Sequence, residues 1–144
     1  MRITRPKLIG GALATAAAAA ILPMASAVAF ISPPLVLLAQ PQSPAHLIAR
    51  GAALDVTVEY SCAADFMSIE IQATEKVGSR VASGFGSVSV PCDGATHTTI
   101  VRITTNGTAF ARGTAAIRLS VFGCSQDFSV CGNETINRTI DVRK

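Results

Sequence analysis

The feature that most constrains this chain is a strict alternation of apolar and polar residues that recurs from residue 54 onward. Successive side chains of a β-strand point to opposite faces, so a period of two predicts a strand with one buried and one solvated face. Residues 54–62 show the clearest alternation. Further runs predict strands at 67–74, 88–92, 99–104 and 115–121, a weaker edge strand at 136–142 and an extra edge strand at 35–38.

Turn-forming dipeptides punctuate these runs at Asp93-Gly94, Asn106-Gly107, Arg112-Gly113 and Gly132-Asn133. Residues 84–87, Gly-Phe-Gly-Ser, are predicted to form a bulge or turn that leads into the strand at 88–92. No stretch after residue 30 keeps a helical apolar period over three turns. The sequence therefore predicts an all-β fold, an immunoglobulin-like antiparallel β-sandwich of about seven strands, although the tryptophan of antibody domains is absent.

The chain has four cysteines, an even number that predicts two disulfides in an exported domain. Zinc binding is disfavoured because no two of these cysteines lie two to four residues apart. Three pairings are possible. We favour the two that join sequence neighbours, Cys62–Cys92 and Cys124–Cys131, and the second would close a short hairpin.

The N-terminus has the pattern of a secretory signal peptide. Basic residues at 2, 5 and 7 precede about fifteen uncharged and mostly apolar residues, 8–22, and then Pro23. The small residues 25–27 predict cleavage after Ala27, with Ala29 as the second choice. We therefore assign residues 1–27 as the signal peptide, 28–44 as an N-terminal segment and 45–144 as the folded domain, secreted without a stable membrane anchor.

Charge and composition exclude several classes of function. Charged residues make up only 15% of the chain and hydrophobic residues 49%, unlike a disordered acidic or basic tail. The formal net charge of +3 comes from the signal segment, because residues 1–27 hold three of the basic residues and none of the acidic ones. Residues 28–144 are formally neutral, so we expect no nucleic-acid binding.

No motif in the sequence predicts catalysis, a metal or a cofactor. Asp93 and His97 could form a general-base pair, but a polar residue at the start of a strand explains His97 more simply. Asp55, Glu59 and Glu70 lie on solvated strand faces, and no Gly-x-Ser-x-Gly elbow or calcium-loop motif is present. We therefore expect a protein that is not an enzyme and that carries no cofactor.

Two phenylalanines are the candidate binding surface. Phe122 falls out of phase with the inward residues of its strand, and Phe128 lies inside the loop between Cys124 and Cys131. A constrained loop that displays an aromatic side chain is a common way for a β-sandwich to contact a partner. In the alternative, Phe128 folds back and covers the open end of the core.

Short motifs in residues 45–142 carry a resemblance to a known group of domains. They are Arg50-Gly51, a strand that ends in Cys62, Gly84-Phe85-Gly86, Cys92-Asp93-Gly94 and residues 110–115. This arrangement resembles small exported immunoglobulin-like domains of actinobacteria that are classed as a domain of unknown function. A fainter likeness is to the enediyne-binding apoproteins, since the Cys124–Cys131 spacing looks like their short loop disulfide. The resemblance implies export and a β-sandwich, and it implies no catalytic residues.

These observations predict a secreted, non-enzymatic binding or structural module at or beyond the bacterial cell envelope. Its partner would be an extracellular protein. The alternative is an extracellular carrier of a small apolar ligand, bound in a cleft between the 124–131 loop and the neighbouring hairpins.

Overall fold

A computed structural model describes residues 35–144. The predicted signal peptide, both cleavage positions and the first part of the N-terminal segment lie outside the described residues. The described chain contains one short 3-10 turn, Ala49–Gly51, and no α-helix, so the all-β prediction is confirmed. Its eight strands are β1 (Leu37–Pro41), β2 (Ala45–Ile48), β3 (Ala53–Cys62), β4 (Phe66–Val77), β5 (Arg80–Val90), β6 (Thr96–Thr105), β7 (Gly113–Cys124) and β8 (Cys131–Arg143).

The strands pair into a closed ring. Main-chain pairing runs β3–β2–β8–β7–β4–β5–β6 and returns from β6 to β3, which makes a seven-strand barrel with β1 added beside β3. Two junctions of the ring are narrow: β5 joins β6 at two residue pairs, and β2 joins β8, in parallel, at two more. This pairing differs from the predicted sandwich, whose two sheets would not be hydrogen-bonded to each other.

The glycines of β5 explain why the ring closes there. A Cβ atom at Gly84 would lie 2.4 Å from the carbonyl oxygen of Thr104, and one at Gly86 would lie 2.1 Å from that of Arg102. Glycine in a strand often marks a place where a second backbone approaches closely. The prediction of a bulge or turn at 84–87 was therefore wrong, because these residues form the middle of β5 where it crosses β6.

Three other boundaries differ from the sequence prediction. The edge strand expected at 35–38 is β1, two residues further along, and the following residues 45–48 form the unpredicted strand β2. Gly132-Asn133 lies inside β8 rather than in a turn, since the chain reverses earlier, at residues 125–130. In addition, β4 and β5 form one long hairpin through a two-residue turn in which Gly78 has φ 61°.

The core follows the predicted alternation. Apolar residues of β3, β4, β6 and β7 point inward, and most of them are fully buried. The largest are Leu54, Met67, Ile69, Ile71, Ile103, Ile117 and Leu119. The opposite faces of these strands carry the Ser, Thr, Glu and Arg residues, so the ring presents a polar outer surface on which an exposed aromatic side chain stands out.

Candidate binding surface

Three aromatic side chains meet at one end of the barrel. Phe66 begins β4, Phe122 lies near the end of β7, and Phe128 lies in the loop between β7 and β8. The ring centroid of Phe66 is 6.5 Å from that of Phe122 and 5.4 Å from that of Phe128, both with tilted planes. These distances are typical of favourable aromatic pairs. We call Phe66, Phe122 and Phe128 the aromatic patch.

The patch faces solvent. Phe128 is 66% exposed and Phe122 is 47% exposed, and Phe66 between them is half-buried. Phe128 does not cover the core as the alternative interpretation required. Phe66 was not predicted from the sequence, although a signal was present: Phe66 shares its phase with the outward residues Ser68 and Glu70 of β4.

The loop that carries Phe128 is closed by the Cys124–Cys131 disulfide, whose Cα atoms are 4.1 Å apart. Within the loop, the Ser125 N–H donates to the Val130 carbonyl and the Phe128 N–H donates to the Ser125 carbonyl, both at 2.9 Å. Phe128 itself has φ 57°, in the left-handed region. A bulky residue rarely adopts this conformation, so the surrounding contacts must hold it there.

Asp127 supplies three further contacts in this loop. Its Oδ1 accepts hydrogen bonds from the Ser125 hydroxyl at 2.7 Å, the Ser129 hydroxyl at 2.8 Å and the Ser129 N–H at 3.1 Å. These donors favour the ionised carboxylate, and the Ser125 hydroxyl has the largest effect. Together they lower the pKa of Asp127 to about 2. The carboxylate therefore organises the loop on both sides of Phe128.

Asp65 ties the same loop to the rest of the barrel. Its Oδ2 accepts a hydrogen bond from the Gln126 N–H at 2.7 Å, and its own N–H donates to the Cys124 carbonyl at 3.1 Å. Asp65 immediately precedes Phe66 in the chain. The loop and the start of β4 are thus fixed to each other, which holds the three rings of the aromatic patch in one arrangement.

The second disulfide lies at the same end. Cys62 at the end of β3 is bonded to Cys92, just after β5, with a Cα separation of 5.1 Å. Both predicted pairings, Cys62–Cys92 and Cys124–Cys131, are confirmed, and the described residues contain no free cysteine. Two disulfides in so small a domain are typical of an oxidising, extracellular setting.

The other candidate groups form isolated pairs. His97 Nε2 lies 2.9 Å from Asp93 Oδ1, and its ring contacts Tyr60 at a centroid distance of 5.7 Å. The Ala95 N–H and then His97 lower the pKa of Asp93. Asp55 binds Arg102 through two hydrogen bonds of 2.8 Å. No cluster of three or more potential metal ligands occurs among residues 35–144.

Shallow depressions lie elsewhere on the described surface. One of them, about 650 Å³, is lined by Leu47, Arg50, Gly51, Phe110 and Lys144, at the end of the barrel away from the aromatic patch. This depression and three others on the described surface are lined by residues outside the 124–131 loop. The cleft that a ligand carrier was predicted to have at this loop is therefore not among them.

Comparison with known proteins identified no relative of this chain. No known protein family matches the chain, and no curated protein is similar to it. Among the described residues, no helix is long and apolar enough to span a membrane. The aromatic patch is therefore the feature of the molecule that bears on its function.

Proposed function

We propose that this protein is a secreted, non-enzymatic binding module that contacts a protein partner through the aromatic patch, at or beyond the bacterial cell envelope. The observation that carries this proposal is the conformation of Phe128. A left-handed backbone costs a bulky residue of order 1–3 kcal/mol. Here a disulfide and the Asp127 hydrogen bonds hold that conformation while the ring stays in solvent. An unfavourable backbone that exposes an apolar ring is expected at a contact site rather than in a core.

The chemistry of the patch favours a protein partner. Aromatic side chains dominate the binding energy of many protein interfaces, especially where a rigid scaffold presents them. Residues 62–66 and 122–131, which hold the three rings, contain no Lys or Arg and carry the carboxylates of Asp65 and Asp127. A partner with an apolar pocket and hydrogen-bond donors at its rim fits this surface.

The proposed fold and location support one another. Export by the signal peptide at 1–27 would bring the chain into the compartment where both disulfides form. We also propose an immunoglobulin-like arrangement, with β3 and β6 in one layer and β5, β4, β7 and β8 in the other. The narrow two-pair junctions between these groups of strands support it, as does the resemblance of residues 45–142 to exported actinobacterial domains.

Substitution of Phe128 tests the function without unfolding the loop. Phe128→Gly removes the ring, and glycine adopts a φ of 57° without strain, so stability should be kept or rise by about 1 kcal/mol. Retention on immobilised bacterial envelope fractions should fall at least tenfold. Phe85→Ser is the matched control, because Phe85 is 48% exposed on β5 and lies outside the patch.

Equal retention of the native chain and the Phe128→Gly variant would contradict the proposal. The ligand-carrier alternative has a separate readout, since a carrier should bind an apolar fluorescent dye with a defined stoichiometry. Dye binding that survives Phe128→Gly, without retention on the envelope fractions, would favour the carrier.

A further inference from the structure

Among the described residues, strand β8 has a long edge whose main-chain groups pair with no other strand. It pairs with β7 along its whole length, from Cys131 to Val142. On its other side β2 reaches only Val142 and Arg143. Within residues 35–144, no strand pairs with residues 131–141 on that side. A row of unpaired main-chain groups of this length is a template for another strand.

The direction of the free groups follows from one contact. The Asp141 N–H donates to the Ser43 hydroxyl at 3.0 Å, so it points away from β7. N–H groups alternate in direction along a strand. Those of residues 133, 135, 137 and 139 therefore point to the free edge as well, and their carbonyl groups accompany them.

Two charged side chains decide which strand this edge can accept. Glu134 and Arg138 share a side of β8 with Ile136 and Ile140, the side that turns toward the core, yet both are exposed. Charges on that side disfavour pairing with an ordinary strand. A strand that offers the opposite charge at each position removes the penalty.

A second copy of β8 offers those charges. When two copies run antiparallel about a two-fold axis at Ile136, Glu134 of each lies opposite Arg138 of the other. Both pairs occupy non-hydrogen-bonded positions, where opposing side chains are closest. A register shifted by two residues in either direction places Glu134 opposite Ile136 or Ile140 and loses both ion pairs.

A depression beside the edge adds to this complementarity. Glu134 and Ile136 line it together with Glu59, Leu38 and Gln40, and its volume is about 230 Å³. Arg138 of a second copy would approach this depression, where two carboxylates face one guanidinium. The carboxylate of Glu59 thus favours a positive charge opposite Glu134, as Glu134 itself does.

We propose that β8 is the interface of a homodimer, in which two copies pair antiparallel about Ile136 through about eight main-chain hydrogen bonds. The dimer joins two four-stranded layers into one continuous sheet. It places the two aromatic patches at opposite ends of the shared strands. This inference does not depend on the proposed binding function, because neither Glu134 nor Arg138 belongs to the patch.

Analytical ultracentrifugation with charge reversal tests the register. The native chain should dimerise with increasing concentration. Glu134→Arg and Arg138→Glu each place like charges opposite one another twice, and each should raise the dimer dissociation constant about thirtyfold. The double variant should restore dimerisation, and an equimolar mixture of the two single variants should form a heterodimer.

Two further variants separate pairing from folding. Thr135→Pro removes an N–H that points to the free edge and leaves the β7–β8 hydrogen bonds intact, so it should abolish the dimer and leave the melting temperature nearly unchanged. Arg118→Glu, on the outer face of β7, is the control and should dimerise normally. A native chain that stays monomeric at high concentration overturns the proposal. A dimer unaffected by either reversal overturns it as well.

Discussion

The two ends of the barrel stabilise a strained loop in different ways. Each contains an aromatic residue in a loop and a non-glycine residue in the left-handed region: Phe128 at one end, and Ala49 with Arg50 near Phe110 at the other. Phe128 is 66% exposed, whereas Phe110 is 3% exposed. All four cysteines lie at the Phe128 end. The Phe110 end is held by packing and hydrogen bonds alone.

Close contact between two loops organises the Phe110 end. The Phe110 N–H donates to the Gly51 carbonyl at 2.9 Å. A Cβ atom at Gly51, which has φ 90°, would lie 2.1 Å from the Phe110 carbonyl oxygen, so only glycine fits there. Glu75, almost fully buried, accepts a hydrogen bond from the Ala111 N–H at 3.0 Å.

The difference shows that an aromatic residue in a strained loop can serve either stability or binding. At the Phe110 end the strained turn is compensated by burial of the ring, so the whole arrangement serves stability. At the Phe128 end the ring contributes little burial, and a covalent bond and a carboxylate network replace packing. A surface that is ordered before it binds loses little conformational freedom on binding. Rigidity without burial is therefore expected of a contact surface.

Truncation of an aromatic ring at each end should give the largest difference in the free energy of unfolding. Phe110→Ala should lower the free energy of unfolding by about 3–5 kcal/mol, because it empties a buried site. Phe122→Ala, in the aromatic patch, should change it by about 1 kcal/mol or less. Urea denaturation of both variants checks this. Equal losses would mean that the patch is part of the core.

Removal of each disulfide ranks the covalent contributions at the other end. Loop-closure entropy predicts a loss of about 3.5 kcal/mol for the Cys62→Ala/Cys92→Ala variant and about 2.5 kcal/mol for Cys124→Ala/Cys131→Ala. Denaturation under non-reducing conditions measures both. The second variant should also lose the fixed position of Phe128 and with it retention on envelope fractions. If the shorter loop proved the more stabilising, loop entropy would not be the main cause.

The sequence predicted those parts of the fold that depend on alternation. Strands β3, β4, β6 and β7 bury one face, so their period of two is strong, and the cysteine pairing followed from sequence neighbours. Strand β5 was only partly predicted, because Gly84 and Gly86 are shaped by the approach of β6 and carry no apolar signal. Closure of the ring has no local signal either, since it depends on two residue pairs at each narrow junction.

The candidate site was predictable only in part, because some of its features depend on contacts between residues that are distant in the sequence. The phase of Phe122 and the position of Phe128 between two cysteines are local features. The direction of the Phe128 ring depends on hydrogen bonds from residues on both sides of Asp127 and on Asp65, which is 61 residues from its partner Gln126. No periodicity in the sequence records such contacts.

Acidification provides the smallest and most local test of the Phe128 end. The pKa of Asp127 is about 2 in the folded loop, below its ordinary value of 3.8. Ionised Asp127 therefore stabilises the loop above about pH 3.8, and this contribution disappears as the pH falls through about 2. Amide hydrogen exchange at Ser129 should accelerate relative to a core amide over that window.

The Asp127→Asn variant should lack this acid transition and exchange faster at neutral pH. In Ser125→Ala, which removes the donor with the largest effect, the transition should move upward toward pH 3.8. Asp93 also has a lowered pKa, but it lies in the β5–β6 turn, so a probe at Ser129 reports on the loop alone. An unchanged transition in Ser125→Ala would show that the Ser125 hydroxyl is not the main cause of the lowered pKa of Asp127.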